Sequence, residues 1–277
     1  MSTEVAGDTS RIAAIQMVSG PDVTANLGVA SDLVARAAAA GARLVALPEY
    51  FAIMGLRDTD KLSHAERPGS GPIQDCLAGL AARHGVWLVG GSIPLAAPVP
   101  GRVYNASILY APSGRAAARY DKIHLFGLDL GQEQFSEART ILPGHCVVTA
   151  ATDVGRVGLS ICYDLRFPEL YRAMGLVDLI VVPSAFTATT GAAHWEVLLR
   201  SRAIENQAYV LAPAQGGLHP SGRRTHGHTL VVDPWGTVLA VQDTDPGVVV
   251  VELKLSEVAR VRRALPAQRH RRLGAPA

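Results

Sequence analysis

The sequence predicts an α/β protein of layered sheets covered by helices, and three observations lead there. Short apolar runs alternate with amphipathic stretches over residues 11–92, the alternation resumes over 156–214, and the last third reads mainly as strand. "RIAAIQM" is a short buried strand, followed by the helix "NLGVASDLVARAAAAGA", stopped by Gly41 where a left-handed turn costs glycine little. "RLVALP" is the next strand and runs into Glu49. Helix "PIQDCLAGLAARHG" has Pro72 at its first turn and Gly85 as its cap, and strand "VWLVGGS" follows. "YNASILYAPSGRAAARYDK" reads as a hairpin around a Pro-Ser-Gly turn. The alternation then continues as strand "RVGLSIC", helix "PELYRAMG", strand "DLIVVPSAF", helix "AHWEVLLRSRAIENQ" and strand "AYVLAPA". "HTLVVD", "TVLAV" and "GVVVVEL" close the chain as strands. No linker or low-complexity tract divides the 277 residues, so one domain over 1–277 is expected. The polar segment 1–10 and the basic tail 266–277 are expected to be flexible or to lie at an interface.

Composition narrows the function. A 48% hydrophobic, 18% charged chain with a formal charge of +2 is neither disordered nor a general nucleic-acid binder. The basic run "RVRRALPAQRHRRL" reads as a solvated face. No apolar stretch approaches the roughly 20 residues that span a bilayer, and "MSTEVAGDTS" lacks a signal-peptide core, so a cytosolic protein is expected. Cys76, Cys146 and Cys162 are too few and too scattered for a disulfide framework or a paired zinc site. "HGH" at 226–228 and "GHC" at 144–146 build no metal shell, and no glycine-rich phosphate loop appears. No cofactor and no metal are expected.

Ligand-facing side chains in α/β folds project from the carboxyl ends of strands or the loops that follow. Glu49, Lys122 and Cys162 occupy such places. Lysine is rare here, present only at 61, 122 and 254. Together the three supply what amide hydrolysis needs. A thiolate is the nucleophile, a nearby ammonium would lower the thiol's pKa and stabilise an oxyanion, and a glutamate exchanges the proton. The backbone N–H of Tyr163, just after the cysteine, is a second oxyanion donor. The order strand, turn, helix, with Asp164 as a cap and Pro168 in the first turn, suits an exposed nucleophile. A Cys-His hydrolase using His124 stays open, because residues two apart on a strand share a face. A non-catalytic interaction protein on the same scaffold is the rival of another class, and the intact Glu49, Lys122 and Cys162 weigh against it.

"LPEY" around Glu49, "YDKIHLF" around Lys122 and "GLSICYDLRFPELYR" around Cys162 resemble, in order, the three signature segments of the nitrilase, or carbon-nitrogen hydrolase, family. The resemblance runs from "RIAAIQM" through "VVDPWGTV". It implies a four-layer αββα sandwich that dimerises, with Cys162 as nucleophile, Glu49 as general base and Lys122 as oxyanion stabiliser. A segment like "FSEARTILPG" implies a second glutamate at Glu137, which suits a buried lysine's need for carboxylates. Cys-Tyr-Asp-Leu-Arg-Phe-Pro-Glu after the nucleophile looks like the Nit-type amidases. Two branches compete, one acting on ω-amides of short 2-oxo acids and one on deaminated glutathione; "GRRTHGHTLVVDPWGTV" looks closer to the second. Other carboxylated amides and N-carbamoyl compounds are further alternatives. Such substrates carry carboxylates, so a pocket arginine is expected, with Arg166 the candidate against an ion pair with Glu169. Phe186 and Thr190 are expected to line the pocket. Arg223 and Arg224 could meet a distal carboxylate, but "GLHPSGRR" is turn-rich and reads as a solvated loop.

Overall fold

The computed structural model describes residues 8–131 and 134–273. Two sheets are built on the same plan, three parallel strands in the middle and antiparallel strands at the margins. The first runs Gly247–Lys254, Thr9–Gln16, Ala42–Ala46, Trp87–Val89, Val103–Tyr110, Ile93–Ala96, and Ala116–Asp121 also pairs with Val103–Tyr110. Thr9–Gln16, Ala42–Ala46 and Trp87–Val89 are its parallel set. The second runs Val238–Gln242, Thr229–Val232, Tyr209–Ala212, Leu179–Val181, Gly155–Leu159, Val148–Thr152, and its parallel set is Gly155–Leu159, Leu179–Val181 and Tyr209–Ala212.

Parallel neighbours need helical crossovers, and the chain supplies them in sequence. Helices α1 (Val23–Ala39) and α2 (Pro72–His84) cross over in the first sheet, and α3 (Pro168–Ala173) and α4 (Ala188–Asn206) in the second. Strand period 2 then sorts the side chains. Along the first sheet Ile12, Ala14, Leu44, Ala46, Val89 and Leu109 face the core shared with the second sheet. Their neighbours Ala13, Ile15, Val45, Leu88 and Ile108 pack with α1 and α2 instead. Both faces are covered, which explains unbroken runs such as "RIAAIQ" where alternation would otherwise be expected. Helices α3 and α4 cover the far side of the second sheet, with Leu170, Tyr171, Trp195 and Leu199 buried. The layers are therefore α, β, β, α.

Three expectations need correction. The basic run is not simply solvated: helix α5 (Leu255–Ala264) docks through buried Val258 and Val261, and Arg262 donates to the Val177 carbonyl and pairs with Asp178 at 3.3 Å. Apolar residues spaced three apart in a mostly charged segment were the missed signal. The tail from 266 to 273 is anchored as well, since Gln268 donates to the Glu205 carbonyl at 2.7 Å, while 274–277 and 1–7 lie outside the described residues. Finally, α4 begins at Ala188, five residues before the apolar pattern suggests, because the Thr187 hydroxyl caps the Thr190 amide at 3.2 Å.

Candidate active site

The carboxyl ends of the two parallel sets bring Glu49 and Cys162 together. Glu49 follows Ala42–Ala46, and Gly91 presses its backbone against this strand end. A Cβ at Gly91 would sit 2.1 Å from the Pro48 carbonyl oxygen, so no other residue fits without displacing Pro48. The next residue, Tyr50, takes a left-handed φ of 55°, its amide held by the Ser92 hydroxyl at 3.0 Å. Lys122 leaves the end of Ala116–Asp121, its amide donating to the Asn105 carbonyl. Gly144 closes over it, where a Cβ would come within 2.1 Å of the Asp121 oxygen.

Cys162 opens a 3-10 turn, Cys162–Arg166, with φ of 48°. That conformation costs a non-glycine residue of order 1–3 kcal/mol and persists only where the surroundings impose it. Here the Cys162 amide donates to the Pro183 carbonyl at 2.9 Å, and Asp164 anchors the turn. Buried Asp164 accepts from the Ile161 amide, the Tyr120 hydroxyl and the His124 amide at 2.9, 2.7 and 3.0 Å. It therefore caps the turn that carries Cys162 rather than α3, whose N-cap is Phe167.

At the centre Lys122 is fully buried, with Glu49 1% and Cys162 7% exposed. The Lys122 ammonium donates to Glu49 at 2.8 Å and to Glu137 at 2.9 Å. Glu49 also accepts from the Asn105 amide group and the Ala185 backbone N–H, both at 2.9 Å. Glu137 accepts from the Tyr50 hydroxyl at 2.5 Å and the Phe126 N–H at 2.7 Å. Burial alone would push the ammonium's pKa down, but the charges of Glu137 and Glu49 outweigh it and hold Lys122 well above its ordinary value. Burial likewise works against the Glu137 carboxylate, yet Lys122 and the Tyr50 hydroxyl bring its pKa below the ordinary value. Tyr50 is pushed up, by burial first and Glu137 next, and stays a donor.

The thiol departs from expectation. Burial pushes Cys162 up, the Glu49 charge pushes the same way, and Lys122 opposes both without prevailing. One ammonium shared by two carboxylates leaves an acidic surplus around the sulfur, which favours the thiol over the thiolate. The Glu49 carboxylate lies beside the thiol, within reach of its proton.

A small cavity opens over the cluster. Cys162, Tyr163, Arg166, Phe186 and Thr190 all line it, together with Glu49, Lys122 and Glu137. Arg166 is not paired with Glu169; its guanidinium lies over the rings of Tyr163 and Phe186 and contacts His194 at 3.2 Å, with no acid partner among the described residues. Arg223 also lines the cavity, donating to the Ala185 carbonyl at 2.9 Å, which corrects the solvated-loop reading. Arg224 is exposed, as that reading has it. The ring of His124 contacts Asp164 at 2.8 Å and stacks on Phe167; it does not line the cavity. His226 and His228 stack on each other, and among the described residues no group of three or more His, Cys, Asp or Glu is arranged to hold a metal ion. Asn105 and Tyr50 went unnoticed in the sequence. Tyr50 had a signal, since it adjoins Glu49; Asn105, mid-strand in "YNAS", had none.

Fold and site together define a class: a four-layer αββα protein with a buried Cys-Lys-Glu-Glu cluster beneath a small cavity. The chain belongs to the carbon-nitrogen hydrolase family, whose model matches residues 11–263, and is a hydrolase acting on carbon–nitrogen bonds. Deaminated glutathione amidase of Synechocystis is 42% identical over 265 residues, 94% of this chain and 97% of the relative. The crystal structure of the Caenorhabditis elegans NitFhit protein superposes with a TM-score of 0.86 at 38% identity; this chain is covered over 95% of its length but spans 65% of that protein. An amidase from Nesterenkonia sp. AN1, 27% identical with a TM-score of 0.77 and 93% and 98% of the two chains covered, shows acrylamide added to its active-site cysteine.

Proposed function

We propose that the chain is an amidase that cleaves deaminated glutathione to 2-oxoglutarate and cysteinylglycine through a thioester on Cys162. The observation that carries this reading is the buried Lys122–Glu49 pair set against Cys162 in a cavity where Arg166 holds an unpaired charge. The likeness to the Synechocystis enzyme supports the substrate.

In the first half-reaction Cys162 Sγ attacks the amide carbon and its proton passes to Glu49. The carbonyl oxygen becomes an oxyanion, stabilised by the Lys122 ammonium and by the Tyr163 N–H, which lies in the first turn of the 3-10 segment where amides lack an intrahelical partner. The C–N bond breaks as Glu49 returns the proton to the leaving amine. In the second, water attacks the thioester, Glu49 takes a water proton, and the proton returns to sulfur as the acid departs. Glu137 and Tyr50 hold Lys122 in place. Arg166 orients the 2-oxo acid's carboxylate, with Phe186 and Thr190 as walls.

The test is kcat/KM for deaminated glutathione, 2-oxoglutaramate, 2-oxosuccinamate and an N-carbamoyl amino acid. Deaminated glutathione is expected to lead by about tenfold or more, the scale of one well-used interaction. A lead by the short oxo-amides overturns the substrate, and turnover of none overturns the amidase.

A homodimer in the reducing cytosol fits this reading, since a catalytic thiol must stay reduced. Among the described residues no helix is long and apolar enough to cross a membrane. Helix α4 turns exposed Val197 and Ile204 outward, with exposed Val241 lining the same groove. Such a patch favours a second copy. Light scattering should give twice the 29.2 kDa chain mass, and Val197→Glu with Ile204→Glu should halve it; a monomeric wild type rejects the dimer.

A further inference from the structure

Beside the cavity over Cys162 lies a second, larger chamber open to solvent, and the two share Tyr50, Phe126, Glu137 and Arg223 as a common wall. A primary amide would release ammonia, which needs about the room of one water, roughly 30 Å³. Nothing in that reaction uses a chamber of this size.

The charges around it are unevenly committed. Lys61 is held by Asp58 at 2.6 Å and by Thr140, Arg57 by Asp60 at 3.1 Å, and Glu137 by Lys122. Two cations remain without an acid partner among the described residues, Arg139 and Arg223. Arg139 is exposed and lies two residues beyond Glu137 on the 3-10 segment Glu137–Arg139. Arg223 stands where the chambers meet, its guanidinium lying over the Phe135 ring at 5.1 Å. Met54 and Phe135 add apolar lining to the chamber, both in contact with Arg223.

We infer that this chamber is the subsite for the leaving amine, and that it takes a peptidic amine with a free carboxylate at its far end. Arg223 donates to the peptide carbonyl near the scissile bond, and Arg139 pairs with the terminal carboxylate. Met54 and Phe135 face the first residue's side chain. A dipeptide reaches about 7 Å when extended, enough to lead from the shared wall into the chamber. Arg139 acts on binding of the leaving group alone, since it does not line the cavity over Cys162.

This inference rests on the proposed amidase reading and extends it from the acyl side to the amine side. Three amides of the same 2-oxoglutaryl group test it: those of cysteinylglycine, of cysteinylglycine amide, and of ammonia. The wild type should favour cysteinylglycine over its amide by about 10- to 100-fold, the range of one charge-assisted contact. Arg139→Ala should erase that preference, acting on KM, while 2-oxoglutaramate hydrolysis stays within about twofold of wild type, and Arg139→Lys should restore part of it. A preference that survives Arg139→Ala, or an equal loss on all three substrates, overturns the subsite. A wild type that hydrolyses only 2-oxoglutaramate also overturns it and leaves the amidase standing, whereas a wild type inactive on all three overturns the amidase reading itself.

Discussion

Cys162→Ala is expected to lower amide turnover by about 10⁴-fold or more, the scale on which loss of a covalent nucleophile removes catalysis. The reason lies in the geometry around the thiol. Lys122 and Glu49 remain after the substitution, but Lys122 is held protonated by two carboxylates and Glu49 is engaged by Lys122, Asn105 and the Ala185 N–H. Amine release measured under saturating substrate gives the loss, and trapping of acyl-enzyme by acid quench and mass spectrometry should find the adduct on Cys162 in the wild type alone. Turnover within tenfold of wild type would sink the thioester mechanism. The substitution also relaxes a strained turn only slightly, because alanine bears the same positive-φ cost as cysteine. A normal melting temperature is therefore expected alongside the lost activity, which separates chemistry from folding.

Lys122→Met should damage both activity and stability. Removing the cation from a fully buried cluster leaves Glu49 and Glu137 facing each other without a counter-charge, a loss of about 3–5 kcal/mol for breaking a buried ion pair. For a chain of this size that is a fall in Tm of roughly 6–20 °C. On the proposed mechanism the substitution also removes an oxyanion donor, which should lower kcat by a further 10²- to 10³-fold, about the cost of removing one such group. The pH dependence of stability supplies an independent signature. In the wild type Lys122 depresses the Glu137 pKa, so the stabilisation from that pair is complete above the unfolded carboxylate value of about 4.3 and is lost as pH falls through the lower folded value. In the variant the downward pull of Lys122 is gone and only the Tyr50 and Phe126 hydrogen bonds oppose burial and the facing Glu49 charge, so protonating the pair relieves repulsion and acid is expected to favour the folded state. The Tm gap between the two proteins should therefore narrow from pH 7 to pH 4. A gap that is constant over this range, or a Tm unchanged at pH 7, contradicts the buried ion-pair account.

The two parallel strand sets illustrate how much of the fold was legible beforehand. Each strand and helix in them announces itself by period, and Pro72, Gly85 and Gly41 mark ends where sterics leave little choice. The order of the strands within each sheet was not legible, because pairing partners come from distant parts of the chain: Gly247–Lys254 sits beside Thr9–Gln16. Helix α5 was read as a solvated basic face for a related reason. Its charge dominates the composition, whereas its two buried valines act only against a surface that forms elsewhere.

At the site the same division holds. Glu49, Lys122 and Cys162 stand out by type and by position at strand ends, and the resemblance of their three segments to the carbon-nitrogen hydrolases assigned roles to them. What those residues are chemically was decided by tertiary contacts. Lys122 predicted a lowered thiol pKa when taken alone, and the pKa is raised, because burial and a second carboxylate enter the balance. Arg223 read as loop and lines the cavity; Asp164 read as a cap for the following helix and anchors the turn that carries Cys162. The sequence by itself determined which reactive groups exist and which strands present them, since side-chain chemistry and strand period are local properties. Only the tertiary structure decided their charge states, their partners and the second chamber, because desolvation and Coulomb energy depend on distances between residues far apart in the chain.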